Sequence, residues 1–249
     1  MAERHSIAPL QPPTFVPDQL PRHVGLVMDG NGRWAQQRGM PRTEGHRHGE
    51  TALSEVLEGC LAVGIEYLSA YAFSTENWRR APAEVRFLLG YSRTSLRRRR
   101  NEWHERGVRV RWAGRRERLW LSVVRELDAA VELTQHNTAM TLTLCVNYGA
   151  RAELTDAVRA IARQVAAGEL PPEAVDEACV ARQLYQPALP DVDLFLRTSG
   201  EQRLSNFLLW QSAYAELVFV DTLFPDFDRV AFWQALQTYA QRKRRFGSA

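Results

Sequence analysis

Asp29 opens the segment Asp29-Gly30-Asn31-Gly32-Arg33-Trp34-Ala35, directly after an apolar run over residues 23–28. A strand running into two glycines and then a helix is suited to phosphate. Glycine lets the backbone come close to an anion, and a helix N-terminus offers free N–H groups and partial positive charge. Arg33 can add bidentate bonds to phosphate oxygens. A carboxylate at the lip of such a nest repels its ligand unless a divalent cation lies between them, so Asp29 reads as a metal-side group. The same glycines with Ala35 also satisfy the loose G-x-G-x-x-A pattern of dinucleotide-binding folds. That reading ranks second. It wants an acid about 20 residues on, at the end of the next strand, whereas Glu44 and Glu50 fall before or inside the following helix.

Three further clusters carry chemistry. Arg42 and His46 precede a helix expected over residues 47–63 and could both donate to one diphosphate, although a lone histidine there is more often a capping or core residue. Ser74-Thr75-Glu76-Asn77-Trp78-Arg79-Arg80 follows the second strand, where an α/β sheet places its ligand. It could merely cap the next helix, but aromatics beside arginines also suit a hydrocarbon ligand with a charged head. Late in the chain, Arg197, Arg203, Leu204 and Ser205 repeat the strand-to-loop pattern and read either as a second anion site or as surface ion pairs. Glu216 is polar within an apolar run, and such glutamates are either paired structural residues or metal ligands.

The elements that must position these residues follow from periodicity. Strand candidates lie at residues 23–28, 65–73, 108–113, 141–147, 192–196 and 217–220, with amphipathic helical stretches between them. This alternation predicts a single α/β domain with a mostly parallel sheet of about six strands flanked by helices, its ligands at the carboxyl ends of the strands. Residues 1–21 are proline-rich and aperiodic and are expected to be a flexible lead-in to a domain over 22–249.

Of the 249 residues, 45% are hydrophobic and 24% charged, an ordinary globular composition. No apolar run reaches the ~20 residues of a membrane span, and the N-terminus lacks a signal-peptide core, so a cytoplasmic location is expected. Cys60, Cys145 and Cys179 are widely spaced and read as core residues rather than a disulfide or zinc framework. A net charge of +3 implies no nucleic-acid partner. Arginines nonetheless dominate residues 93–118, either as a solvated helix face or as a surface drawn to the anionic face of a membrane.

Taken together, Met28 to Ala35, Gly45-His46, Tyr71 to Trp78, Asn147-Tyr148-Gly149, Arg197 to Glu201, Ser205-Asn206-Phe207 and Tyr214-Ala215-Glu216 closely resemble the cis-prenyltransferases typified by bacterial undecaprenyl diphosphate synthase. The resemblance runs from about Pro21 to Gly247. It implies a Mg²⁺-dependent homodimeric enzyme with a hydrophobic product tunnel, which condenses isopentenyl diphosphate with an allylic diphosphate such as farnesyl diphosphate. Asp29 would hold Mg²⁺ against the allylic diphosphate, with Gly30, Asn31, Gly32, Arg33, Trp34, Arg42 and His46 at that head group. Arg197, Arg203, Leu204 and Ser205 would bind isopentenyl diphosphate, and Glu216 would complete the metal site. Asn77 matches a position assigned proton abstraction, supported by Ser74, Thr75, Glu76, Trp78 and Arg80. An uncharged amide is a poor base, so an orienting role is expected of it. Arg245-Phe246-Gly247 resembles a tail that reaches the partner's site in some members.

One stretch departs from the family pattern. Gly90, Tyr91, Ser92 and Arg93 stand where a largely apolar tunnel helix is usual. A polar wall there predicts a product shorter than undecaprenyl, whereas outward-facing polar residues predict the usual long chain; Phe87, Leu88 and Leu96 can share one helical face with Arg93 and Arg97 pointing outward, so undecaprenyl diphosphate is the expected product. The alternatives to a long-chain synthase are a short- or medium-chain cis synthase, a nucleotide-dependent oxidoreductase and a catalytically silent binding subunit.

Overall fold

The computed structural model describes residues 11–16 and 19–242. The Arg245-Phe246-Gly247 tail and the start of the lead-in lie outside them. Six strands, β1 (His23–Val27), β2 (Tyr67–Ser74), β3 (Val108–Ala113), β4 (Met140–Tyr148), β5 (Leu194–Arg197) and β6 (Glu216–Phe219), form one sheet in the order β3-β4-β2-β1-β5-β6. Every pairing in it is parallel. Parallel strands need crossovers, and seven helices supply or follow them: α1 (Asn31–Gln37), α2 (Arg42–Val63), α3 (Pro82–Glu105), α4 (Leu121–Thr134), α5 (Ala150–Ala166), α6 (Glu177–Arg182) and α7 (Arg229–Ala240).

Strand alternation sorts the core onto two faces. Val24, Leu26, Leu68, Ala70, Leu142, Leu144, Leu194 and Leu196 point to the larger core, where they pack against α2, α3, α4 and α7. Val27, Cys145, Tyr148 and Phe195 point to the smaller one, which holds Phe207 and Leu208 and is capped by Ala150 at the start of α5. All three cysteines are buried and free, as their spacing predicts. Among the described residues no helix is long and apolar enough to cross a membrane.

One expectation is corrected. The second helix begins at Arg42 rather than near residue 47, because Pro41 sets its entry and Gly45 continues it. Gly45 is there for contact: a Cβ at this position would lie 1.9 Å from the carbonyl oxygen of Asn31, so α1 rests directly on the α2 backbone. Gly90 sits inside an unbroken α3 of 24 residues. Tertiary packing overrides its intrinsic cost.

Gly45→Ala must push α1 and α2 apart, because the opposing atom is backbone and cannot rotate away. Overpacking of this kind costs about 1–3 kcal/mol. Urea unfolding should show that loss, together with weaker binding of inorganic diphosphate, and an unchanged midpoint would contradict the contact.

Candidate active site

The site forms where β1 and β5 lie side by side, Val27 opposite Arg197. The chain leaves β1 toward β2 on one side and reaches β5 on the other, so their carboxyl ends flank a topological switch point. Asp29 follows β1, and its backbone N–H donates to Thr198 Oγ1 (3.0 Å) while its carbonyl accepts from the same hydroxyl (2.7 Å). Gly30, with φ 101°, turns the chain into α1; a Cβ there would meet Leu223 at 2.9 Å.

Arg197 joins the two loops. Its side chain is 4% exposed and donates to Asp29 Oδ2 at 2.8 Å, and to Ser205 Oγ and the Arg203 carbonyl at 2.6 Å each. Burial pushes the Asp29 carboxyl up, but the bonds from Arg197 and from the Gly30 N–H outweigh it and hold Asp29 below the usual carboxylate range. Asp29 is therefore ionised at neutral pH and a third exposed at the cavity mouth. Arg33 donates to Ser199 Oγ (2.6 Å) and lies 3.3 Å from Glu201, and Arg203, 59% exposed, bonds Glu201 as well. Each loop thus carries one solvent-exposed arginine, and both pair with the same carboxylate, Glu201.

Ser74 and Asn77 close a capping box around a short 3₁₀ turn, Thr75–Arg79, in which Asn77 Oδ1 accepts from the Ser74 N–H at 3.2 Å. The helix-cap reading of this motif is correct, yet the turn also aims Ser74, Glu76, Asn77 and Arg80 into the cavity. Asn206, with φ 62°, reaches across from the second loop and donates to Glu76 Oε1 at 2.8 Å. The sequence signal for Asn206 was its place in Ser205-Asn206-Phe207; its bridging role depends on a fold that brings distant loops together. Thr198 and Ser199, likewise unassigned from sequence, serve as hydrogen-bond partners of Asp29 and Arg33.

Behind this mouth a cavity of about 710 Å³ runs between α2, α3 and the sheet. Asp29, Gly30, Asn31, Gly32, Arg33, Arg42, His46, Arg197, Arg203 and Ser205 line its polar end, and Leu53, Leu88, Leu96, Trp103, Leu144 and Val146 its apolar part. Tyr91 and Ser92 face it, whereas Arg93 and Arg97 are exposed.

Five expected site residues do not line the cavity. The Trp34 indole donates to Asp226 (2.6 Å) under the Arg38 guanidinium, and Trp78 donates to Asn147 (2.7 Å) under Arg118. Leu204 packs against the smaller core, and Thr75 bonds Glu76 at 3.3 Å. Glu216 is also apart from Asp29 within the chain. It opens β6 level with Leu194 and hence Val24, toward the opposite end of the sheet, and accepts from Arg242 at 2.9 Å.

Among the described residues no three acidic, histidine or cysteine side chains converge on a metal-sized point. One carboxylate beside phosphate donors nevertheless fits Mg²⁺, which is held by one or two carboxylates with substrate phosphates and keeps several waters.

An α/β sheet with two cationic loops at its switch point and an apolar cavity behind them defines a binder of phosphorylated hydrocarbons. The undecaprenyl diphosphate synthase family model (Prenyltransf) matches residues 27–247. The chain is 66% identical over 239 residues (96% of it, 85% of the relative) to a trans,polycis-polyprenyl diphosphate synthase ((2Z,6E)-farnesyl diphosphate specific) of Thermobifida fusca. It is 59% identical over 232 residues (93% and 78%) to a decaprenyl diphosphate synthase of Mycobacterium tuberculosis. A lavandulyl diphosphate synthase from Lavandula x intermedia, solved with dimethylallyl diphosphate, superposes with TM-score 0.90 at 34% identity, covering 93% of this chain and 100% of that one. The chain belongs to the cis-prenyltransferase family.

His46 gives a pH test of the mouth. Burial, then the Arg80 and Arg42 cations, lower its pKa to about 4, against an opposing pull from Glu84. The unfolded chain, titrating near 6.5, therefore takes up the proton first, and stability falls as pH drops from about 6.5 toward 4. NMR titration should show a neutral ring down to about pH 4, and inorganic diphosphate should raise that midpoint if His46 contacts the head group.

Proposed function

We propose that the protein catalyses Mg²⁺-dependent cis condensation of isopentenyl diphosphate with an allylic diphosphate primer, giving a polyprenyl diphosphate of about the decaprenyl class. The observation that carries this reading is the Asp29–Arg197 pair, which joins two cationic loops at the mouth of one apolar cavity. Two anionic substrates need two basic nests, and the new bond must form where their reacting ends meet. The names of the relatives support the reaction class, and the cavity-facing Tyr91 and Ser92 favour a product shorter than undecaprenyl.

In this reading Asp29, Gly30, Asn31, Gly32, Arg33, Arg42 and His46 bind the allylic diphosphate, and Arg203 and Ser205 bind isopentenyl diphosphate. Arg197 holds both loops and keeps Asp29 ionised. Mg²⁺, when bound, neutralises charge on the departing diphosphate. As the allylic C–O bond breaks, Arg33 and the α1 N–H groups stabilise the charge that develops on its oxygens. A carbon–carbon bond forms to the isopentenyl unit, which loses a proton to a diphosphate oxygen. The Asn77 amide orients that acceptor. Trp34, Thr75, Trp78 and Leu204 act as supports of the site rather than as contacts.

A homodimer forms part of the same reading, favoured by the β6 edge strand, where Leu217 is 37% exposed, and by Tyr214 just before it, 69% exposed. A metal role for Glu216, which lies on that edge, then belongs to the dimer. Peripheral contact with an anionic membrane is favoured by exposed Arg86, Arg93 and Arg97, which have no ion pair among the described residues, beside Trp120 and the 73% exposed Leu121.

Asp29→Asn, which keeps a side-chain oxygen for Arg197 but removes the charge, should keep the fold and lower turnover by roughly a hundredfold or more, the usual cost of losing a group that stabilises transition-state charge. Retention of a tenth of the wild-type rate would remove Asp29 from that role. Steady-state kinetics should separate the nests: Arg203→Ala raises KM chiefly for isopentenyl diphosphate, Arg33→Ala chiefly for the primer. Equal effects on both substrates would reverse the assignment.

A further inference from the structure

The cavity has a charged side wall that the reaction chemistry does not use. Glu50 on α2 lines the cavity with its side chain only 8% exposed. It accepts from Arg98 Nη2 and Arg99 Nε at 2.6 Å each, and from the Tyr91 hydroxyl. Arg99 donates onward to Glu102 at 2.6 Å. With Ser92 and Ser95, this cluster forms a polar belt along α3 between the apolar lining residues Leu88 and Trp103. Burial pushes the Glu50 carboxyl up, but Tyr91 and the two guanidinium groups pull it down to about 2, so the belt stays charged at neutral pH.

We infer that the Glu50–Tyr91–Arg98–Arg99 cluster is a product-length determinant: it confines the growing chain to the sheet side of the cavity and bars it from the gap between α2 and α3. This rests on the prenyl-transfer reading above. Each added isoprene unit gains by burying carbon at roughly 0.8 kcal/mol per CH₂-sized group. Against paired charges the gain is lost, because the chain would strip remaining water from groups that are costly to desolvate. Simple clamping of the two helices does not explain the cluster. Arg106 and Glu58 already join α3 to α2 at 2.9 Å, and neither lines the cavity.

The test is product analysis by reverse-phase chromatography with labelled isopentenyl diphosphate and farnesyl diphosphate primer, on the full chain. Glu50→Leu/Arg99→Leu, which removes a charge of each sign, and separately Tyr91→Leu, should each shift the main product to longer chains by at least one isoprene unit. Glu58→Ala, which breaks the other clamp, should leave the lengths unchanged. Variants that incorporate isopentenyl units but keep the wild-type lengths overturn the inference. So does loss of all incorporation in both belt variants, since the cluster would then serve the fold or the reaction itself. A wild-type chain that makes no prenyl product would instead overturn the proposed function.

Discussion

A buried arginine is costly unless its charge and its hydrogen-bond donors are met, and in this chain the whole site is organised by meeting them. Arg197 ends β5 beside the end of β1, so its guanidinium finds Asp29 on one side and Ser205 with the Arg203 carbonyl on the other. Only its Nε lacks a partner. The arrangement fixes the two loops relative to each other without a direct contact between their exposed arginines. It also sets the charge state of Asp29, since burial alone would favour the protonated acid. Electrostatic support prepared before substrate arrives costs no reorganisation during the reaction, which is why a rigid pair suits this place better than mobile side chains.

The sheet explains why the pair forms there. Crossovers leave β1 in opposite directions, toward β2 and eventually toward β5, so the helices diverge above the carboxyl ends and leave a crevice between them. On the larger face, α2 and α3 spread apart over β1, β2 and β4, and the space between them becomes the cavity. On the smaller face, Phe207 and Tyr148 pack beneath the second loop, while Tyr71 stacks on Phe207 at 4.3 Å and donates to the Ser205 carbonyl at 3.4 Å. The left-handed backbone at Ser205 and Asn206 is therefore held from below by aromatic packing and from the side by Glu76.

Much of this was legible because single residues announce it. The third strand falls at 108–113 as alternation predicts, and the first differs from its expected end by one residue. Asp29, Arg33, Arg197 and Ser205 meet where strand-to-loop transitions place them. The failures have a common cause in contacts that no local pattern encodes. The early start of α2 depends on Gly45 meeting Asn31. Trp34 looks like a ligand-facing aromatic in its motif, but Asp226, nearly two hundred residues away, claims its indole N–H. The arginine run reads locally as one solvated face. In the fold it divides, Arg98 and Arg99 turning to Glu50 and Arg100 to Glu126 while Arg97 stays exposed. Local sequence cannot decide that division, because the acids that make it sit on other helices.

Helix α2 shows how the mouth and the cavity are coupled. Arg42, His46, Gly49, Glu50 and Leu53 all line the cavity, and their spacing of three and four residues places them on one helical stripe. Along about 16 Å of helix, at 1.5 Å per residue, that stripe passes from the Arg42 and His46 side chains at the mouth through a paired carboxylate to an apolar wall. A loop could supply the same residues but not a fixed distance between them. The helix in turn is anchored at both ends of the stripe, by Asn31 against Gly45 and by Arg229 on Glu55 at 2.5 Å. A shift in its tilt would therefore move the mouth residues and the side wall together, so that, under the proposed function, head-group binding and the room left for the growing chain are two readings of one rigid element.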